Sequence, residues 1–247
     1  MDRTEPLISI IMPALNAAPF IGEAIRSVQT QTWHNWELVI VDNGSSDGTA
    51  SIVENVADPR VLMLHERNKG VGHARNKALQ MIKGEFYCFL DADDRLPPSS
   101  LADRAALLLA DPTVHFADGA IHAFSQDQPH EWTRVPRYRG DDPLNELYAI
   151  TDACFLGLTW MIRRTGTKVP LFRTDMSHAE DMLYFMTIAH AGAYDHVDKP
   201  VLEYRIGHGS AMSDLKGLHE GYRQLVRHMP LLPHPPDRGT LARAWWH

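Results

Sequence analysis

The chain has 247 residues, enough for one large α/β domain or two small ones, and no stretch reads as a linker, so one domain is expected. Its net charge of −7, from 24 basic against 31 acidic residues, provides no basic field and excludes general nucleic-acid binding. Two cysteines, Cys88 and Cys154, make no disulfide framework and favour a reducing cytoplasm, the opening residues are polar rather than a signal sequence, and no run approaches the apolar length of a membrane span.

Residues 7–12 form an apolar run that predicts a strand, stopped by Pro13. Residues 20–31 follow as a helix, with Phe20, Ile21, Ala24, Ile25 and Val28 on one face. Residues 37–41 predict the second strand. It ends in a dense cluster of turn and cap residues at 42–49, where Ser46 or Asp47 caps a helix running to about Val56. Residues 60–64 predict a third strand. Gly70 and Gly72 open a helix to about Ile82, which Gly84 ends, and residues 86–90 make a fourth strand. Strand and helix thus alternate four times, which predicts a parallel, Rossmann-like sheet with right-handed crossovers.

The second half is less regular. Residues 99–110 predict an amphipathic helix after Pro97-Pro98. Residues 114–117 and 120–124 read as two strands, 125–142 as a long surface loop, and 159–163 as a strand. Residues 177–191 predict a helix and 201–206 a strand, before a helical, proline-rich tail at 214–247. Trp245 and Trp246 close that tail beside Arg238 and Arg243. They either pack on the domain or on a second copy in a homo-oligomer, or touch a membrane surface.

The chemistry gathers at strand ends. Phe86-Tyr87-Cys88-Phe89-Leu90 drops without a turn residue into Asp91-Ala92-Asp93-Asp94. In an open α/β sheet, ligands bind outside the carboxyl ends of the strands. Clustered carboxylates repel one another unless a cation lies between them. The trio therefore reads either as a Mg²⁺ or Mn²⁺ and diphosphate site, or as an acidic loop in which Asp94 caps the next helix. The other loops sent to the same rim are Pro13-Ala14-Leu15-Asn16, the turn holding Asp42, and Arg67-Asn68 with the glycines after it. Gly70 and Gly72 permit close backbone approach before a helix N-terminus, which favours anions. Arg75, one turn in, either reaches a phosphate or base edge or remains a solvated helix charge.

Residues 41–49 (VDNGSSDGT), 68–76 (NKGVGHARN) and 91–94 (DADD) resemble, in order and spacing, the signature of family 2 inverting glycosyltransferases. The resemblance covers roughly residues 7–210. It implies a GT-A domain over about 1–213, with a nucleotide-binding half at about 1–98 and an acceptor half at about 99–213. It implies a nucleotide-diphosphate sugar donor, a UDP-sugar first among the choices. The acceptor it implies is a hydroxyl of a glycan or lipid-linked glycan, in polysaccharide synthesis at the inner face of a membrane or in the cytoplasm. Pro13, Ala14 and Asn16 match the first nucleotide-contacting loop. Asp42 matches the residue that accepts the base N–H, and Asn43 stands where many relatives carry a second Asp. The resemblance further implies that Asn68, Gly72 and Arg75 line the same cleft, that Asp91 and Ala92 face the ribose, and that Asp93 is the direct metal ligand.

Inverting transfer also needs a base opposite the leaving group. Ser177 and Glu180 have capping-box spacing, so Glu180 is expected to tie off its helix in a supporting role. The resemblance makes the second acid, Asp181, the base. Residues 204–213 resemble a segment that closes over the diphosphate, with His208 as a metal ligand or diphosphate donor and an extra Gly207 before it. Trp160, Gly157 and Leu158 fall where acceptor-side residues are expected, unless Trp160 is simply core. A sugar-phosphate nucleotidyltransferase would need a Gly-rich phosphate loop after the first strand, and residues 13–19 supply none. The intact set of acids argues against a non-catalytic nucleotide-sugar-binding module.

Overall fold

The protein is described from a computed structural model that covers residues 5–125, 131–207 and 214–244. Four strand-helix units open the chain: β1 (Ile8–Ala14), α1 (Ile21–Gln29), β2 (Trp36–Asp42), α2 (Thr49–Glu54), β3 (Val61–His65), α3 (Val71–Leu79), β4 (Phe86–Phe89) and α4 (Ser100–Ala110). The four strands pair in parallel in the order β3-β2-β1-β4. Every residue of β1 and β4 is buried, because helices cover both faces of this sheet. Alternate side chains therefore enter two cores. Ile8, Ile10, Leu38 and Cys88 pack with α1 and α4, whereas Ile11, Val39, Tyr87 and Phe89 pack with α3.

The second half adds β5 (Val114–Phe124), β6 (Trp132–Arg134), α5 (Pro143–Tyr148), β7 (Met161–Arg163), α6 (Glu180–Ile188), β8 (Ala193–Arg205), α7 (Leu215–His228) and α8 (Arg238–Ala244). The short β7 lies antiparallel to both β4 and β5, and β5 carries β8 in parallel along its length. The described strands make one mixed eight-stranded sheet flanked by helices. On the face that holds α3, α5 and α6 are added, with Leu147, Trp160 and Phe185 in the same core.

Several expectations change. Pro13 does not stop β1, which runs on to Ala14. Pairing to β4 ends at Ile11, so β1 has a neighbour on one side only at Pro13, where proline is tolerated. Residues 114–124 are one strand rather than two. Gly119 marks a close approach and not a turn: a Cβ there would lie 2.4 Å from Val201 Cγ1. The expected loop at 125–142 contains β6, whose three residues are all exposed and so show no alternation. The capping box does not form. Helix α6 starts at Glu180 after Ala179, which has φ 57° and no side-chain cap, while Ser177 Oγ lies 3.1 Å from His178 Nδ1. The tail packs on the domain, with Leu225, Val226, Met229 and Ala244 in the core beside α6. Trp245, Trp246 and His208 lie outside the described residues. No described helix is long and apolar enough to cross a membrane. Cys88 and Cys154 are both free and buried.

One buried acid away from the strand ends matters for stability. Asp118, in the middle of β5, is fully buried and accepts hydrogen bonds from Tyr194 Oη at 2.6 Å and Gly119 N–H at 2.7 Å. Burial pushes its pKa from 3.8 up to about 6, against the pull of those donors. The folded chain therefore binds this proton more tightly than the unfolded chain. The resulting stabilisation is present at low pH and is lost as pH rises from about 4 to about 6. Asp118→Asn is neutral throughout and keeps an amide oxygen that can accept the Tyr194 hydroxyl. The stability of the variant relative to wild type is expected to grow across that window by up to about 3 kcal/mol, then level off. Melting curves at a series of pH values from 4 to 8 check it; a difference that does not vary with pH would show Asp118 to be ionised in the fold.

Candidate active site

The carboxyl ends of β1 and β4 open onto a cleft of about 1250 Å³ that extends to the N-terminus of α6. Pro13, Ala14 and Asn16 form one wall. Arg75 of α3, the segment 91–94 and the pair Glu180-Asp181 form the floor and far side. Residues more than 160 positions apart in sequence thus meet at one cleft; the parallel topology accounts for the loops after β1 and β4, and α6 follows the antiparallel β7. Asp42, Asn68 and Gly72 are not among the lining residues. Asp42 is buried at the end of β2, where Oδ1 accepts the Ser45 N–H at 3.2 Å and His65 Nδ1 stands 3.4 Å from Oδ2. Gly72 is required by packing: a Cβ would come 2.7 Å from the Arg173 carbonyl oxygen.

Asn43 organises the third loop. Its Oδ1 accepts the Gly70 N–H at 2.9 Å, and its Nδ2 donates to the carbonyls of Asn68 at 2.8 Å and Glu66 at 3.1 Å. A carboxylate cannot donate to two carbonyls, so the amide suits this position. The first and second loops are joined in turn by Asn16, whose N–H donates to Ser45 Oγ at 2.9 Å and whose Oδ1 accepts the Ser46 N–H at 2.9 Å.

Arg75 is not a solvated helix charge. Its side chain is 4% exposed, donates from Nη1 to Glu180 Oε1 at 2.7 Å and from Nη2 to Asp91 Oδ1 at 3.1 Å, and lies 5.3 Å over the Phe172 ring. Burial works against this charge, but Asp91, Glu180 and Asp181 outweigh it and raise the guanidinium pKa. Glu180, expected as a helix cap, is thereby a buried ion-pair partner.

The three acids after β4 divide their work. Asp91 is held by Arg75. Asp94 is buried and accepts the Arg205 N–H at 2.8 Å, which ties the end of β8 to this loop rather than capping α4. Arg205 then donates from Nε to the Asp93 carbonyl at 2.8 Å and from Nη2 to Glu23 at 2.8 Å. Asp93 lines the cleft between its two neighbours. Burial raises the Asp94 carboxyl well above its ordinary value, and the charges of Asp93 and Asp91 add to the effect. Burial also raises Asp91; Arg75 opposes this and Asp93 adds to it. Such crowding is relieved by a cation. Among the described residues no three His, Cys, Asp or Glu side chains converge on one point.

Asp181 also lines the cleft, with Oδ1 accepting the Met182 N–H at 2.7 Å. Burial, then the neighbouring Glu180 charge, raise its pKa to about 6, while Arg75 pulls the other way. Trp160 is fully buried, with Nε1 donating to the Cys154 carbonyl at 2.7 Å, so it belongs to the core and not to an acceptor wall. Gly157 and Leu158 do line the cleft. Sequence reasoning missed Leu218 and Tyr222 of α7 and the exposed pair Trp132 and Arg134 of β6, all of which line it too. Periodicity marks α7 as a helix but carries no signal of what that helix faces.

Residues 9–168 match the family described as Glycosyl transferase family 2. The chain is 36% identical over 223 residues to TuaG of Bacillus subtilis (strain 168), whose name assigns it as a glycosyltransferase to teichuronic acid biosynthesis; the match covers 87% of this chain and 84% of TuaG. Against some other curated relatives the chain spans less than two thirds of their length. Among solved structures, S. aureus TarS 1-349 in complex with UDP-GlcNAc superposes with a TM-score of 0.73 at 22% identity, over 96% of this chain and 70% of that one. The mannosyltransferase PcManGT from Pyrobaculum calidifontis, in complex with GDP-Man and Mn²⁺, gives 0.68 at 25% identity, over 97% and 69%. The architecture is the GT-A fold. This chain belongs to glycosyl transferase family 2.

Removing one member of a buried ion pair leaves the other uncompensated. Arg75→Met is therefore expected to cost about 3–5 kcal/mol of stability. The double variant Arg75→Met with Glu180→Met should recover most of that loss, since apolar side chains of similar volume replace the pair. Urea denaturation of the four proteins in the cycle measures it; additive losses would show that the two side chains do not interact.

Proposed function

We propose that this chain is a metal-dependent inverting glycosyltransferase. It transfers a sugar from a nucleotide-diphosphate donor, a UDP-sugar by preference, to a hydroxyl of a glycan or lipid-linked glycan, on the cytoplasmic side of cell-surface polysaccharide synthesis. The observation that carries this reading is the single cleft shared by the acid segment 91–94 and by Asp181. Binding of nucleotide sugars by TarS and PcManGT, and the biosynthetic role in the name of TuaG, support the donor and acceptor classes.

The donor lies with its nucleoside against Pro13, Ala14 and Asn16. Asp91 and Ala92 face the ribose, while Asp42, buried outside the cleft, shapes the second loop by accepting the Ser45 N–H. Asp93 would hold the Mg²⁺ or Mn²⁺, which when bound would offset the charge of the two phosphates and of the leaving nucleotide. Asp181 accepts the proton of the acceptor hydroxyl as its oxygen attacks the anomeric carbon, and the bond from that carbon to the diphosphate oxygen breaks. Glu180 is unsuited to this task because Arg75 holds its carboxylate in a charge-assisted bond. It serves Asp181 by raising its basicity. A base with a pKa near 6 is charged at neutral pH yet still takes up a proton in the transition state.

Asp181→Asn is expected to lower transfer by about 10²–10⁴-fold while nucleotide binding persists; full turnover in that variant removes the base assignment. The wild-type rate should climb as pH rises through about 6, because the base must be deprotonated, and then flatten. Asp93→Ala should abolish the Mn²⁺-dependent rise in melting temperature that UDP produces by binding the folded state. A metal-dependent shift that survives in Asp93→Ala would place the ion elsewhere.

A further inference from the structure

Helix α7 meets the base-bearing segment through two glycines. Gly217 and Gly221 stand four residues apart, and both lie against His178. A Cβ on Gly221 would come within 2.6 Å of His178 Cβ and 2.7 Å of its carbonyl oxygen, and one on Gly217 within 2.3 Å of His178 Cε1. Glycine is a poor helix former, so two of them in a helix of 14 residues weaken it in exchange for this close contact.

The contact bears directly on Asp181. His178 precedes Ala179, the N-cap of α6, whose φ of 57° is uncommon for a residue with a side chain and so is held by its surroundings. The Ala179 carbonyl accepts the Leu183 N–H at 3.1 Å, and the Met182 N–H donates to Asp181 Oδ1 at 2.7 Å. Leu218 and Tyr222, each one position after a glycine, enter the cleft wall. Burial, and then the charge of Asp181, raise the Tyr222 phenol pKa, which places that ring in the field of the carboxylate. Helix α7 lies beyond residues 9–168, the stretch that matches the family.

We propose that α7 is a positioning element of the active site: its glycine notch seats His178, fixes the left-handed turn at Ala179 and so aims Asp181, while Tyr222 closes the cleft beside it. The proposal rests on Asp181 as the base, and its test separates the two ideas. Gly221→Ala and Gly217→Ala are compared with wild type and with Arg223→Ala, which alters an exposed position on the same helix. Each glycine variant is expected to lose at least tenfold in kcat, with donor KM and UDP affinity within twofold of wild type. Amide hydrogen exchange at Met182 and Leu183 should accelerate at least tenfold, and Arg223→Ala should match wild type in all readouts. Unchanged kcat and exchange in both glycine variants overturns the proposal, as does a loss of UDP affinity as large as the loss of kcat, which marks general unfolding. A wild-type chain that transfers no sugar would count against the proposed activity alone. The exchange measurement needs no substrate and still decides whether α7 holds the turn.

Discussion

A buried guanidinium organises this site. Arg75 brings a helix after the third strand, the acid segment after the fourth and the start of α6 into one bonded unit, with Arg75 and Glu180 105 positions apart in sequence. A charge withdrawn from water must be paired, so these three elements cannot shift independently without exposing it. The same bonds distribute roles among the acids. Asp91 and Glu180 are engaged with Arg75, and Asp93 and Asp181 line the cleft beside them.

A second layer of bonds fixes the loops around that unit. Asn43 gathers the third loop through one acceptor and two donors, and Asp94 gathers the end of β8 through the Arg205 N–H. Neither needs to touch a ligand to matter. Asp94 is a buried acid whose ionisation is disfavoured by burial and by its neighbours. The segment 91–94 is thus held together against its own repulsion by backbone and arginine contacts on one side, and it presents its remaining charge to the cleft on the other.

The half of the protein that bears Asp181 is built differently from the half that bears the acid segment. The first four strands need only local crossovers. The second half relies on the antiparallel β7, the long pair β5-β8 and helices contributed by the tail. Helix α7 reaches back to the cleft because its two glycines let it sit against His178. The tail from Leu215 onward is therefore continuous with the core, through Leu225, Val226 and Met229, and also supplies cleft residues.

The sequence alone determined the parallel half. Runs such as 86–90, buried on both faces, and turn clusters such as 42–49 declare strands and loops locally, and parallel topology then dictates that the loops share a rim. That logic brings the Asp93 loop to the rim, whereas the place of Asp181, on a helix that follows the antiparallel β7, was implied by the family resemblance alone. Tertiary structure alone decided the partners. No local pattern pairs Arg75 with Glu180, distinguishes the buried Trp160 from a wall residue, or turns Gly119 from a chain break into a close approach. Periodicity records which face of an element is apolar, whereas an ion pair or a steric fit between distant segments leaves no periodic trace and exists only once the chain has closed on itself.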